Sequence, residues 1–243
     1  MKPGRSFFVA DLHLTDERPL ATGRFFRFLH EDVAGAEALY ILGDLFEAWV
    51  GDDHEERVAA DAARELKALA DAGTRVYFMH GNRDFMLARR YAARAGMQLL
   101  ADPARIDLHG AATLLMHGDT LCTDDQAYQA FRRRVRRPWL LALLARLPLG
   151  WRRRLARQAR AGSESAKAGK PAAIMDVNPD EVVRVMRQAQ ARRLIHGHTH
   201  RPAQHRHAAD GVEFERWVLP DWYARWGYVV CDAAGCALRV DDL

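Results

Sequence analysis

The chain is 243 residues long, but it contains few cysteines, few lysines and no long apolar run. Its cysteines, Cys122, Cys231 and Cys236, follow no metal-site or disulfide-framework spacing, which favours a reduced setting. No apolar run reaches the roughly 18 residues that a membrane-spanning helix needs. The first residues have no signal-peptide pattern. We therefore expect a cytoplasmic globular protein, either one large domain or one domain with an insertion.

Acidic residues are absent from one long stretch, residues 126–162, where arginines lie on both sides of the apolar run from Trp139 to Leu144. That run is too short to span a bilayer, and Pro148 interrupts the segment that follows it. Basic and apolar residues at helical spacing predict an element that lies at a membrane surface. A helical hairpin buried against the core, with solvated arginines, is an alternative. A nucleic-acid surface is less favoured because aromatic residues are not interleaved with the arginines.

Five short apolar runs do occur, and each ends in polar residues beside a turn. Open α/β sheets bind ligands at the carboxyl ends of their strands, so these side chains should meet at one edge. Any one such ending could be an ordinary polar turn, but five in order are not expected by chance. The runs are residues 6–10, 38–42, 75–79, 112–116 and 191–195, followed in turn by Asp11 and His13, by Asp44, by Asn82, by His117, and by His198 and His200.

These seven side chains supply carboxylate, amide oxygen and imidazole donors, without a thiolate. Such a set suits divalent ions of intermediate hardness, such as Mn²⁺, Fe²⁺ or Zn²⁺. Seven donors are more than one ion needs, so we expect two ions that share a bridging carboxylate. Paired metal ions of this kind activate water for attack on phosphoryl groups.

The five endings resemble the five motifs of the calcineurin-like metallophosphoesterases in residue type, order and spacing. The resemblance covers residues 6–125 and 174–231. It implies an α/β four-layer sandwich, in which helices flank two mixed β-sheets. It also implies a metallophosphoesterase core at residues 1–125 and 174–243. Residues 126–173 interrupt this core as an insertion that most relatives lack, and we expect them to form a helical cap that binds a lipid substrate.

Longer stretches, residues 41–49, 116–125, 173–178 and 195–202, resemble the UDP-2,3-diacylglucosamine pyrophosphatases of lipid A synthesis. The resemblance implies Mn²⁺-dependent hydrolysis of UDP-2,3-diacylglucosamine to UMP and 2,3-diacylglucosamine 1-phosphate, by attack of metal-activated water on the α-phosphate. It further implies a peripheral position on the inner face of the inner membrane of a Gram-negative bacterium, with no nucleic-acid partner. The sequence leaves the oligomeric state open and favours a monomer. The segment from Leu219 to Trp222 departs from the expected Leu-Gly pattern by having Pro220.

The resemblance assigns roles to individual positions. It places Asp11, His13, Asp44 and His200 around the first metal ion. It places Asp44, Asn82, His117 and His198 around the second, with Asp44 bridging. The implied catalytic residues are Asp44, Asn82, Arg83, His117 and His198, and the implied substrate contacts are Asn82, Arg83, Asp125, Ser163, Lys167, Lys170 and His198.

Arg83 stands where many metallophosphoesterases carry a proton-donating histidine. A phosphate leaving group, with a pKa of about 6–7, needs little protonation. A fixed cation that stabilises developing phosphate charge therefore favours a pyrophosphate bond as the substrate. Two alternatives remain: a metallophosphoesterase acting on another nucleotide or phosphodiester, and a catalytically dead scaffold that binds membrane or nucleic acid.

Overall fold

The computed structural model describes residues 4–53, 56–168, 176–209 and 211–243, and leaves the side chains of residues 163–168 and 209 undescribed. Within these ranges two β-sheets pack face to face, and helices cover both outer faces. The predicted four-layer α/β sandwich is therefore confirmed.

The strands and helices are numbered along the chain. The strands are β1 (Ser6–Val9), β2 (Ala38–Leu42), β3 (Arg75–Met79), β4 (Met97–Leu100), β5 (Ala104–Leu108), β6 (Ala111–Met116), β7 (Arg193–His196), β8 (Ala203–Ala209), β9 (Val212–Val218), β10 (Arg225–Asp232) and β11 (Gly235–Asp242). The helices are α1 (Pro19–Phe28), which continues as a π-helical segment (Leu29–Val33), α2 (Arg57–Asp71), α3 (Arg89–Arg94), α4 (Gln126–Val135), α5 (Pro138–Arg146), α6 (Leu149–Ala168) and α7 (Pro179–Gln188), with a short 3-10 helix at Asp119–Leu121.

Both sheets are mixed. The first has the order β11-β10-β1-β2-β3-β4, in which β1 to β4 are parallel and β10 joins β1 antiparallel. The second has the order β5-β6-β7-β9-β8, in which β6, β7 and β9 are parallel. The parallel strands place the polar endings of β1, β2 and β3 at one edge of the first sheet, and those of β6 and β7 at one edge of the second.

Successive side chains of β1 pack alternately into two different apolar cores. Phe7 and Val9 belong to the apolar core between the first sheet and helices α1 to α3. Phe8 and Ala10 belong to the core between the two sheets. Successive side chains of a strand point to opposite faces, so an uninterrupted apolar run is what a strand buried on both faces requires. A third apolar core packs α7 against the second sheet.

The C-terminal strands differ from the sequence-based expectation. Alternating apolar runs in residues 214–240 predict strands of a second sheet, but β10 and β11 extend the first sheet beside β1. The polar sequence around His205 and His207 predicts a solvated loop, but both residues lie half-buried on β8. There His207 Nε2 accepts a hydrogen bond from Arg216 Nε (3.3 Å). The sequence of β8 is mostly polar, so it lacks the apolar run on which the prediction relied.

The expectation that all cysteines are reduced is also wrong. Cys231 and Cys236 form a disulfide, whereas Cys122 is a buried thiol outside any disulfide of the described residues. The two bridged cysteines face each other across β10 and β11, which form a tight hairpin. Their separation of five residues resembles no multi-disulfide framework, which is why sequence spacing alone did not reveal the pair.

Helices α4, α5 and α6 fall within residues 126–173, the segment predicted to form a cap, and its boundaries stay a prediction. Neither α4 nor α5 contains a buried residue, so a hairpin buried against the core is wrong for these two helices. Trp139 and Leu143 of α5 are 62% and 50% exposed. Among the described helices, none combines the length and apolar character needed to cross a bilayer.

Candidate metal centre

The loops that follow the parallel strands are held side by side by backbone hydrogen bonds. After β1, the amide of Asp11 donates to Gly43 O (3.1 Å) and that of His13 to Asp44 O (3.0 Å). Between the endings of β6 and β7, the amide of Gly197 donates to His117 O (2.9 Å). These bonds fix the backbone from which the predicted ligands project.

One group of donor atoms surrounds the carboxylate of Asp11. Its Oδ1 lies 3.9 Å from His13 Nε2 and 3.4 Å from His200 Nε2. Asp11 and His13 are buried, and His200 is partly exposed. Donor atoms of these three residues lie within 4.8 Å of one another, close enough to hold one cation together.

Asp44 lies between this group and a second one. Its Oδ2 is 3.8 Å from His13 Nε2, whereas its Oδ1 is 4.0 Å from His117 Nε2. His117 Nε2 is also 3.1 Å from Asn82 Oδ1. Because the two oxygens of one carboxylate face two sets of donors, Asp44 has the geometry of a bridging ligand.

Hydrogen bonds with the backbone orient the His117 imidazole of the second group and the Asp11 carboxylate of the first. His117 Nδ1 donates to Leu42 O (2.8 Å), which leaves Nε2 directed at Asp44 and Asn82. The backbone amide of His198 donates to Asp11 Oδ2 (2.7 Å). The His198 ring packs edge-on against that of His117, with ring centroids 5.1 Å apart. The structure thus brings all seven predicted ligands to one place.

The backbone is left-handed at most of these ligands, which is uncommon for residues other than glycine. Such conformations cost free energy, of order 1–3 kcal/mol each, and they cluster at functional sites. Five of the seven predicted ligands adopt a positive φ: Asp11 (53°), His13 (50°), Asp44 (55°), His198 (72°) and His200 (56°).

Two glycines allow the loops to approach each other this closely. A Cβ at Gly81 would collide with Asp44 Oδ1, and one at Gly197 would collide with Asp11 Oδ2. Any side chain at either position would therefore displace a predicted ligand carboxylate. This requirement explains the glycine that precedes Asn82 and the glycine that precedes His198.

The electrostatics of the site favour bound positive charge. Burial opposes ionisation of Asp11, yet its hydrogen bond with His200 and the neighbouring imidazoles hold its pKa well below the usual range. Burial likewise opposes a charged His117, but the carboxylates of Asp44, Asp119 and Asp11 raise its pKa to about 9. Asp11 Oδ1 and His13 Nε2 are buried without a hydrogen-bond partner, and His13 Nδ1 makes only a longer electrostatic contact, 3.4 Å, with Glu47 Oε2. Buried donor atoms left without partners, together with this donor chemistry, fit divalent cations.

Asp84 holds two of the ligand loops together. Its buried carboxylate accepts from the amide of Gly81 (2.8 Å) and from that of Leu45 (2.7 Å), which links the loops after β3 and β2. Burial and the nearby charge of Asp44 raise the pKa of Asp84 to about 7. The sequence places Asp84 next to the site but gives no sign of this bridging contact.

Asp119 is another residue whose contacts were not predicted. Its buried carboxylate accepts hydrogen bonds from Tyr128 Oη (2.7 Å) and Arg132 Nε (2.6 Å) of α4, and from Arg136 Nη2 (3.4 Å), the residue that follows α4. The Tyr128 ring in turn stacks on that of His198, with centroids 6.1 Å apart. Helix α4 of the insertion is therefore fixed directly beside a predicted metal ligand.

The predicted substrate residues are placed as follows. The amide of Arg83 donates to Asp44 Oδ1 (2.8 Å), and its side chain is half-buried at the site. Asp125 caps α4 by accepting from the amide of Tyr128 (3.0 Å). Ser163 and Lys167 lie on α6, but their side chains are outside the described residues, as is the whole of Lys170.

Comparison with known proteins agrees with this geometry. The model of the calcineurin-like phosphoesterase family matches residues 4–202, which include every predicted metal ligand. The chain is a calcineurin-like phosphoesterase. As a member of that family, the phosphoesterase is a hydrolase whose site residues can hold divalent metal ions.

Curated relatives of the phosphoesterase carry one name. A UDP-2,3-diacylglucosamine hydrolase from Enterobacter sp. (strain 638) is 48% identical over 233 residues, covering 96% of this chain and 97% of that protein. The UDP-2,3-diacylglucosamine hydrolase of Cellvibrio japonicus (strain Ueda107) is 49% identical over 239 residues, covering 98% and 99%.

Solved structures are similar to the phosphoesterase at lower identity. A novel archaeal phosphodiesterase superposes with a TM-score of 0.49 at 10% identity, covering 98% of this chain and 99% of that one. Vacuolar protein sorting 29 from Cryptosporidium parvum superposes with a TM-score of 0.48 at 13% identity, covering 99% and 91%.

Proposed function

We propose that the chain hydrolyses the pyrophosphate bond of UDP-2,3-diacylglucosamine to give UMP and 2,3-diacylglucosamine 1-phosphate. The observation that carries this proposal is the similarity, over nearly the whole length of both chains, to hydrolases named for that substrate. The match includes the segment that forms α4 to α6, which a generic phosphoesterase core would not need.

We further propose two metal ions, both Mn²⁺. Asp11, His13, Asp44 and His200 would hold the first. Asp44, Asn82, His117 and His198 would hold the second. This division is supported by the two oxygens of Asp44, which face different groups of donors. The oxygen and imidazole donors suit Mn²⁺ better than a thiophilic ion.

The bound ions would supply Lewis-acid activation of water and would neutralise phosphoryl charge. The chain's own residues would orient the reaction. Asp44, held by the amide of Arg83, sets the distance between the two halves of the site. The guanidinium of Arg83 would stabilise the negative charge that develops on the departing phosphate, a role that needs no proton transfer to the leaving group.

We propose that the insertion covers the acyl chains and brings the enzyme to the inner face of the inner membrane. The support is a set of exposed apolar side chains beside exposed arginines: Phe131 (49%), Trp139 (62%), Leu143 (50%), Trp151 (64%) and Leu155 (42%). Apolar and basic side chains together favour binding to an anionic lipid surface. Ser163, Lys167 and Lys170 of this segment would contact the substrate, together with Asp125, which directly precedes it.

The experiment is a comparison of turnover on UDP-2,3-diacylglucosamine, unacylated UDP-sugars and bis-p-nitrophenyl phosphate, each with Mn²⁺. We expect the diacylated substrate to be preferred by orders of magnitude in kcat/KM. Equal or better turnover of UDP-sugars or of the phosphodiester would instead assign the chain to another phosphoesterase activity.

A further inference from the structure

Glu47, on the loop after β2, contacts three groups from separate parts of the chain. Its Oε2 lies 3.4 Å from His13 Nδ1 and accepts a hydrogen bond from Tyr223 Oη (2.9 Å). Its Oε1 forms an ion pair with Arg160 Nη1 on α6 (3.0 Å). The carboxylate is only 11% exposed, so all three contacts are made largely away from water.

The contact with His13 determines which ring nitrogen is free. A carboxylate beside Nδ1 keeps the imidazole proton on that nitrogen, and Nε2 then carries the lone pair. Nε2 is the atom that faces Asp11 Oδ1 and Asp44 Oδ2. Glu47 therefore acts on the metal-binding nitrogen of His13 through the opposite side of the ring.

Tyr223 restricts the freedom of both partners. Its ring packs against His13 with centroids 4.9 Å apart, and its hydroxyl holds the same carboxylate oxygen that faces His13. The Arg18 guanidinium lies over the Tyr223 ring, 4.3 Å from its centroid. Because the ring is held by these contacts, the carboxylate of Glu47 has little room to rotate away from His13.

The third contact extends to the insertion. Helix α6 meets the segment after β2 at two points. Arg152 donates to Val50 O (2.6 Å) and to Asp53 Oδ1 (2.7 Å), and Arg160 pairs with Glu47. Arg152 is 4% exposed, so its contacts with Val50 and Asp53 are buried. The Arg160 side chain is 42% exposed, so its contact with Glu47 is the more solvent-accessible of the two attachments.

We propose that Glu47 is a positioning residue that both orients the metal ligand His13 and binds the cap helix α6 through Arg160, so that metal occupancy and cap docking are coupled. One carboxylate serves both contacts, and a coupling between two binding events acts equally in both directions. A metal ion on His13 then favours the docked cap, and a docked cap favours the metal ion. The inference rests on the proposed metal set, but it concerns a residue outside that set.

The test measures metal binding and cap mobility instead of turnover. Mn²⁺ is titrated into metal-free protein, and amide hydrogen exchange is followed in residues 149–162 with and without Mn²⁺. We expect Glu47→Ala to weaken binding of one Mn²⁺ by about 10–100-fold and to speed exchange in α6. Glu47→Gln retains an acceptor for His13 but no charge for Arg160, so it should release α6 and lose Mn²⁺ affinity only several-fold, less than Glu47→Ala does.

Arg160→Ala separates coupling from simple positioning. In the unmodified protein, Mn²⁺ should slow exchange in α6. In Arg160→Ala it should no longer do so, and Mn²⁺ affinity should fall several-fold. The matched control is Arg157→Ala, an exposed arginine three residues earlier on α6, which should behave like the unmodified protein. Should Glu47→Ala fail to fold, Tyr223→Phe, which removes only the hydroxyl donor, should weaken Mn²⁺ binding several-fold.

Two results would overturn the proposal: unchanged Mn²⁺ affinity in Glu47→Ala, or Mn²⁺ that leaves exchange in α6 of the unmodified protein unaltered. Asp44→Ala is measured in parallel. If Asp44→Ala loses Mn²⁺ while Glu47→Ala does not, the proposed metal set stands and only the role of Glu47 is wrong. If Asp44→Ala also keeps both ions, the metal set itself is wrong.

Discussion

Arg132 offers the sharpest test of how the insertion is held on the core. Its Nε lies 2.6 Å from Asp119 Oδ2, and its guanidinium also lies 3.6 Å from Asp102 Oδ2. Both carboxylates are nearly inaccessible, whereas the Arg132 side chain is 18% exposed. Replacing Arg132 with alanine would remove an ion-pair partner from the buried carboxylates of Asp119 and Asp102.

The expected loss follows from these contacts. Breaking a buried ion pair by removing one partner costs about 3–5 kcal/mol, because the remaining charge stays buried. Asp119 retains Tyr128 and Arg136, and Arg132 is partly solvated, so we expect the lower end, about 3 kcal/mol of unfolding free energy. For a chain of this size that corresponds to a melting temperature about 6–12 °C lower.

The loss should also depend on pH, because of Asp102. Burial and the charge of Asp119 raise the pKa of Asp102 to about 6, from an ordinary value of 3.8. Between those values the folded state binds more protons than the unfolded state, so Asp102 makes folding less favourable as pH rises. In Arg132→Ala the pKa of Asp102 should rise further. Asp102 should then go on lowering the free energy of unfolding as pH rises above 6. The pKa of Asp119 is lowered in the folded protein. Its contribution to the free energy of unfolding is therefore lost only when pH falls below its ordinary pKa of 3.8, which lies below the pH range of Asp102.

The assay is urea unfolding of Arg132→Ala and of its matched control Arg133→Ala at pH 4.5 and 7.5. Arg133 is the next residue of α4 and is exposed, so its replacement should change the unfolding free energy by no more than about 0.5 kcal/mol. Equal stabilities of the two variants at pH 7.5 would refute the role of Arg132. The role of Asp102 would be refuted if the loss of unfolding free energy in Arg132→Ala were smaller at pH 7.5 than at pH 4.5.

Further predictions concern the metal centre and the insertion. Asp44→Ala should lower turnover by several orders of magnitude with the fold intact, because one carboxylate would hold both ions; a tenth of normal turnover at saturating Mn²⁺ would contradict the bridging role. Replacing Leu140, Leu143 and Leu144 together with serine should raise KM for the diacylated substrate and leave hydrolysis of a small phosphodiester nearly unchanged, because each CH₂ that the acyl chains bury contributes about 0.8 kcal/mol. Lys170→Ala should likewise affect the natural substrate more than the small one, and equal losses on both would indicate that this segment only supports the fold.

The cluster of predicted ligands could be found from sequence because each depends on a local pattern. A strand buried on both faces gives a short apolar run, and its C-terminal end fixes where the next polar residue lies. Parallel pairing then brings Asp11, Asp44 and Asn82 to one edge without further information. The glycines before Asn82 and His198 are part of the same local signal.

The residues that support those ligands could not be found in this way. Tyr223 and Glu47 are 176 residues apart in sequence, and their contact depends on how the segment after β9 folds back over the loop after β2. Asp119 accepts hydrogen bonds from two side chains of α4 and from Arg136, which follows that helix, and no local pattern specifies where these side chains lie. The Cys231–Cys236 pair and the polar strand β8 were missed because their partners are set by strand pairing and not by composition.

The most direct test of the proposed function is the fate of the oxygen atom in the hydrolysis of UDP-2,3-diacylglucosamine. The reaction is run with Mn²⁺ in ¹⁸O-labelled water, and both phosphorylated products are analysed by mass spectrometry. Attack on the phosphorus next to uridine predicts that UMP and 2,3-diacylglucosamine 1-phosphate form in equal amounts, with the label in UMP. Label in the lipid phosphate, or release of UDP, would contradict it.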